Sequence, residues 1–335
     1  MPSQLTAPFN PPLLFKNPHF QTIYPTFARQ HQPFIKWQRL ELNDGDFVEL
    51  ALNGALTAEP LPIVIMLPGL EGSLESHYIK RLLGKISQLN TLAIVLHHRG
   101  CGQSPNRLWR SYHSNDQMGL IALVNMLKAQ YPQRPLFAVG YSMGANLLAN
   151  YLSAHSEITK AALISPPFDL ALSAQMMNDG VRRIYRRYLL ESLKQRLINK
   201  IDVFANAPLS LADVKAVRSI AQFDELYTAP GCGFADANDY YQKASCINKL
   251  ATIQTPTWLL RAVDDPVIDP LPEDFQAKLS PHVYTQITPY GGHVGFCDSL
   301  LAKRSWLDKM LIQWFALEAR KGENKNVIKT NKNAV

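Results

Sequence analysis

Pro135-Leu-Phe-Ala-Val-Gly-Tyr-Ser-Met-Gly-Ala-Asn-Leu-Leu148 is the stretch from which the fold can be read. Its first half, Leu136 to Val139, is a short apolar run suited to a buried strand. Its second half opens a pattern, Leu147, Leu148, Tyr151 and Leu152, at helical spacing. Between them stands Gly140-Tyr-Ser-Met-Gly144, a G-x-S-x-G sequence. A serine in so sharp a strand-to-helix turn has a strained backbone, and the glycines on either side avoid the clash that bulky side chains would bring. The Ser142 hydroxyl is expected to stand clear of the sheet, beside a helix N-terminus with its free N–H groups. That is the context of a nucleophile elbow. G-x-S-x-G alone is a weak signal; the flanking strand and helix patterns give it weight.

Other apolar runs extend the pattern. Ile63 to Leu67 and Leu92 to Leu96 precede the elbow, and Ala161 to Ser165, Thr257 to Val263 and Val283 to Ile287 follow it. Helical spacing fills Met118 to Ala129 and the segment Ser305 to Ala319. Strands alternating with helices predict an α/β fold, a mostly parallel sheet with helices on both faces. Trp37 to Leu52 alternates around Asn43-Asp-Gly-Asp46 and reads as a hairpin. The rhythm breaks over 166–244, which reads as an inserted, mainly helical cap. The expected organisation is an N-terminal arm over 1–36, a core over 37–165 and 245–320, the cap over 166–244, and a polar, disordered tail over 321–335. The arm, rich in proline and aromatics, is expected to be extended and laid over the domain.

The 335 residues are 47% hydrophobic, enough for a substantial core. The net charge of +7 permits acidic partners, anionic membrane surfaces included, without establishing one. Cys101, Cys232, Cys246 and Cys297 form no C-x-x-C pair and no zinc spacing, so reduced thiols and no metal are expected. No basic segment followed by an apolar one opens the chain, and no apolar run approaches a membrane span. A cytoplasmic location is the expectation.

A serine nucleophile needs a base, and the base needs an orienting carboxylate. In a parallel sheet both belong on loops at the carboxyl ends of later strands. Asp264-Asp-Pro266 follows Val263, and Gly291-Gly-His293 follows the last strand, in the order Ser, Asp, His that such folds use. His293 is the candidate base. Asp265 is preferred over Asp264 by analogy with the motif's usual form, and the choice stays open. Two backbone N–H groups should bind an oxyanion: that of Met143, after the serine, and one from Pro68-Gly-Leu-Glu-Gly72, where Leu70 is the best candidate.

At this point the chain resembles the α/β-hydrolase fold superfamily. A closer resemblance is to the YheT-like esterases of AB-hydrolase subfamily 4. It is carried by Asn17-Pro-His-Phe-Gln-Thr-Ile-Tyr-Pro25, Gly69-Leu-Glu-Gly-Ser73, Arg99-Gly-Cys-Gly102, Gly140-Tyr-Ser-Met-Gly144, Phe223-Asp-Glu-Leu-Tyr-Thr-Ala229, Asn238-Asp-Tyr-Tyr241, Asp264-Asp-Pro266 and Gly291-Gly-His-Val-Gly-Phe296. The resemblance implies an α/β-hydrolase fold and a serine carboxylic-ester hydrolase with the triad Ser142, Asp265 and His293, needing no cofactor. Monoacylglycerol lipases and medium-chain ester synthases or hydrolases are among the relatives it implies.

The expected substrate is a short-to-medium-chain acyl ester, with Phe168, Met176, Met177, Ile184, Tyr188 and Leu189 available to line a pocket under the cap. An acyltransferase using the same acyl-enzyme and a silent binding module on the same fold are the alternatives. No nucleic-acid motif is present, and none is expected as partner. Arg182, Arg183, Arg186 and Arg187 lie opposite the stripe Val181, Ile184, Tyr188 and Leu189. The bland reading packs the stripe on the cap and leaves the arginines in solvent. Weak peripheral contact with a membrane is the rival. Oligomeric state is not readable.

Overall fold

Why the apolar runs become central strands follows from what covers them. In the computed structural model, which describes residues 7–27, 33–53, 61–89, 91–299 and 305–317, the strands are β1 (Lys36–Glu41), β2 (Phe47–Leu52), β3 (Ile63–Leu67), β4 (Leu92–Leu96), β5 (Leu136–Tyr141), β6 (Lys160–Ile164), β7 (Thr257–Ala262) and β8 (Val283–Thr288). They form one sheet in the order β1-β2-β4-β3-β5-β6-β7-β8. The β1–β2 hairpin and the β2–β4 pair are antiparallel; the pairs from β4 to β8 are parallel. β3, β4, β5 and β7 are buried along their whole length. Successive side chains point to opposite faces, so Ile63, Ile65 and Leu67 join one core while Val64 and Met66 join the other.

The helices are α1 (Pro18–Phe27), α2 (His77–Ile86), α3 (Met118–Gln130), α4 (Met143–Leu152), α5 (Leu170–Met176), α6 (Arg183–Val203), α7 (Leu211–Ala216), α8 (Ile220–Phe223), α9 (Ala229–Gly231), α10 (Ala237–Ala244) and α11 (Trp306–Trp314). Leu123, Leu127, Leu147 and Leu148, from α3 and α4, fill one core. Ile79, Leu83, Leu307 and Leu311, from α2 and α11, fill the other. Each such side chain contributes roughly 1.5–3 kcal/mol when fully buried. α5 to α10 lie between β6 and β7 and share a third core around Leu193, Leu197, Phe223, Tyr227 and Tyr241. The expected tail over 321–335 lies outside the described residues.

Two expectations fail. The N-terminal segment is not extended through Pro18–Phe27 but helical. Asn17 starts the helix, its Oδ1 accepting the Phe20 N–H at 2.9 Å. Pro18 takes the first helical position, where a missing N–H costs nothing. Asn-Pro was therefore a helix start and not an extension signal. The second failure concerns α6. Leu190, Leu193 and Leu197 face inward, and Val181, Ile184 and Tyr188 lie across the helix from them. The three leucines set which face is buried, so Val181, Ile184 and Tyr188 of the expected stripe point to solvent while its fourth member, Leu189, packs against the cap core.

Candidate active site

The carboxyl ends of β3, β5, β7 and β8 deliver four loops to one end of the sheet, where ligands bind in folds of this type. Ser142 sits between β5 and α4 with φ 53° and ψ −122°, a left-handed backbone that a non-glycine residue adopts only under constraint. Its N–H donates to the Ile164 carbonyl at 2.8 Å, tying the turn to β6. A Cβ at Gly140 would overlap the Gly144 carbonyl, and one at Gly144 would overlap the Pro68 carbonyl. The two glycines are therefore required by close backbone approach.

Ser142 Oγ lies 2.9 Å from His293 Nε2, and His293 Nδ1 lies 2.9 Å from Asp265 Oδ2. A carboxylate beside Nδ1 holds the ring proton there and leaves Nε2 as the acceptor for the serine hydroxyl. The other oxygen of Asp265, Oδ1, accepts the Val267 N–H at 2.9 Å, which fixes the carboxylate. Asp264 points elsewhere: its Oδ1 accepts the Gly292 N–H at 2.9 Å, and burial pushes its carboxyl up from the usual range. Of the adjacent pair, Asp265 meets the imidazole and Asp264 shapes the glycine turn before it.

The loop after β3 passes over the serine, Gly69 facing the Ser142 Cβ. Gly69 N–H donates to Tyr78 Oη and Glu71 N–H to Tyr112 Oη, both at 3.0 Å. Between these engaged groups, the N–H of Leu70 has no acceptor among the described residues, and neither has that of Met143. His98, whose imidazole is pushed by burial below its ordinary pKa, donates from Nε2 to the Pro68 carbonyl at 2.9 Å and stacks on Tyr112. Leu70, Met143, Tyr112 and Cys101 make an apolar patch at this point. Burial lifts the Cys101 thiol to about 12, so it stays protonated.

Supporting residues escaped the sequence reading. Gln21, buried on α1, donates from Nε2 to the carbonyls of Phe15 and Cys297, and its Oε1 accepts the Cys297 N–H, each at 2.9 Å. Thr22 Oγ1 accepts the His293 N–H at 2.9 Å and donates to the Pro18 carbonyl at 2.7 Å. The N-terminal helix thus braces the histidine loop. On the serine side, Arg196 of α6 bonds both carboxylate oxygens of Glu71 through three contacts at 2.9–3.0 Å, and Ser192 adds a fourth at 3.0 Å. The signal was present in Asn17 to Pro25 and in Gly69 to Ser73, but nothing local revealed what those motifs grip. No cluster of three or more metal-ligating side chains occurs among the described residues. No helix among them is long and apolar enough to cross a membrane.

Residues 58–296 match the family described as Serine aminopeptidase, S33. The YheT protein of Escherichia coli (strain K12) is 39% identical over 328 residues, covering 94% of this chain and 95% of that protein. The medium-chain fatty acid ethyl ester synthase/esterase 2 of Saccharomyces cerevisiae is 30% identical over 313 residues, 83% of this chain and 67% of the yeast protein. The monoacylglycerol lipase of the same yeast is 31% identical over 74% of this chain and 58% of its own. Among solved structures, the Pyrococcus furiosus esterase Pf2001 shares the fold, with TM-score 0.54 at 17% identity over 91% of this chain and 97% of that one. With the family match over residues 58–296 and the 39% identity to the Escherichia coli YheT protein over most of its length, the chain belongs to the S33 family of α/β-hydrolases and is YheT-like within it.

Proposed function

We propose that this chain hydrolyses uncharged, short-to-medium-chain acyl esters through an acyl-enzyme on Ser142. In general class it is a carboxylic ester hydrolase. The observation that carries the finer reading is the chain of two 2.9 Å contacts from Ser142 Oγ through the His293 ring to Asp265. His293 Nε2 takes the hydroxyl proton as Oγ attacks the ester carbonyl. Asp265 keeps the ring in the productive tautomer and stabilises the imidazolium. The N–H groups of Leu70 and Met143 receive the oxyanion, and His293 returns the proton to the leaving alcohol. Water, deprotonated by the same ring, then releases the acid.

The chain-length reading is supported by the apolar patch of Leu70 and Met143 beside the serine and by the medium-chain and monoacylglycerol relatives. The cap side chains first considered for the pocket divide: Phe168 and Met177 are buried in cores, while Ile184 and Tyr188 face solvent. The test is a series of esters of rising acyl length, with Ser142→Ala as control. Each buried methylene adds about 0.8 kcal/mol, so kcat/KM should climb and then fall once the pocket is full. Activity highest on acetyl esters and declining steadily, or unchanged activity in Ser142→Ala, would refute the reading. Transfer of the acyl group to an alcohol is the second reading, favoured by the relative named an ester synthase; ethyl ester formed in an ethanol-containing arm would support it.

A further inference from the structure

The turn Gly180–Arg182 and the first turns of α6 carry an apolar stripe that nothing among the described residues covers. Val181, Ile184 and Tyr188 are 56%, 62% and 77% exposed, and positions three and four apart share one helix face. This face adjoins the candidate active site. Arg182 Nε donates to the Pro266 carbonyl, next to Asp265, at 3.1 Å. Tyr185, between Ile184 and Tyr188, stacks on His19 of α1 and shares a 2.8 Å hydrogen bond with its Nδ1. Ile23, four residues after His19 on α1, is 39% exposed, and Val263, before the aspartate pair, is 69% exposed. The apolar side chains therefore rim the loops that bear Asp265 and His293.

Positive charge borders the stripe. Arg183 and Arg187 are exposed and one turn apart. Among the exposed charges here, Asp179 and Glu191 flank the run and Arg183 and Arg187 lie within it, and none of the four arginines of 182–187 is paired with a carboxylate among the described residues. Phosphate recognition along a nucleic acid would leave the valine and isoleucine side chains unexplained. A two-fold contact centred on this short face would crowd its arginines against those of the second copy. An anionic lipid surface satisfies both features: its headgroups attract the arginines while the acyl boundary takes the apolar side chains.

We propose that the outward face of α6 around Ile184 and Tyr188, with Arg183 and Arg187, docks the protein on an anionic lipid surface with the active-site mouth toward it. The docking itself is independent of the ester-hydrolase reading; only its orientation toward substrate rests on that reading. The test is co-sedimentation of the full chain with vesicles of phosphatidylcholine alone or mixed with phosphatidylglycerol, at low and high salt. R183E/R187E and I184S/Y188S are compared with wild type, folding is followed by thermal unfolding, and hydrolysis of a short water-soluble ester is measured separately. Binding to the mixed vesicles at low salt is expected, weakened by salt and by at least about tenfold in each double variant. Unfolding transitions and soluble-ester hydrolysis should match wild type, because neither pair belongs to the site. Absence of binding to mixed vesicles at low salt overturns the proposal, as does binding that ignores both double variants. Self-association that the same substitutions abolish would assign the face to a second copy and also overturn it. If hydrolysis fails while vesicle binding holds, the functional reading falls and the docking stands.

Discussion

Ser142 is held by the turn it occupies, whereas the N–H of His293 is held by Thr22, 271 positions away. On the serine side, strand, nucleophile, glycines and helix are contiguous from Leu136 to Leu152. The loop proposed to bind the oxyanion follows the next strand over, β3, although Tyr112 and the Arg196–Glu71 pair also tie it down. On the histidine side, Gly291, Gly292, Val294 and Phe296 all have positive φ, and the loop they form lacks regular structure. Its shape is imposed by Gln21 and Thr22 through hydrogen bonds to Cys297 and His293. A short-range device thus faces a long-range one across a single 2.9 Å contact. The first is sturdy because strain is spread over a strand and a helix. The second depends on a few side chains and should be easier to detune.

The sharpest way to probe the contrast is at the carboxylate pair. Asp265→Asn should lower kcat by about 10⁴, because the amide favours the wrong imidazole tautomer. Asp264→Asn keeps an oxygen for the Gly292 N–H and should cost less than about threefold. Steady-state kinetics on one soluble ester compares them, and the reverse ranking would move the orienting role to Asp264.

The brace itself is tested by Thr22→Val, which removes the acceptor for the His293 N–H. Misplacing a catalytic group by about 1 Å can cost around 10²-fold, so kcat should fall by up to that factor with KM little changed. Thr22→Ser keeps the oxygen and should restore most of the rate. Loss of protein stability without a kcat effect, or no rescue by serine, would reduce Thr22 to a packing residue.

A smaller effect is expected where the cap grips the serine side. Arg196→Met removes the ion pair to Glu71 and frees the segment that presents the Leu70 N–H. The loss should be roughly tenfold in kcat, less than removal of an oxyanion donor itself. An unchanged kcat would show that the loop holds its shape through Tyr78, Tyr112 and Ser192 without the ion pair, and would make the serine side more robust than the comparison supposes.

The amino-acid sequence determined what depends on neighbours in the chain. Continuous apolar runs specified the buried parallel strands, and Asp44-Gly45 specified the hairpin turn. The spacing of Gly140, Ser142 and Gly144 specified the elbow, because side-chain period and backbone sterics act over a few residues. Three matters were decided only by tertiary structure. Asp264 and Asp265 are chemically identical, and only the path of the chain after β7 shows which reaches His293. Asn17 to Thr22, expected to be extended, starts a helix instead, and its grip on Cys297 and His293 spans the whole chain. The face of α6 that is buried was fixed by Leu190, Leu193 and Leu197 meeting the cap core; an amphipathic pattern defines the two sides of a helix, and only the packing partner decides which is turned inward.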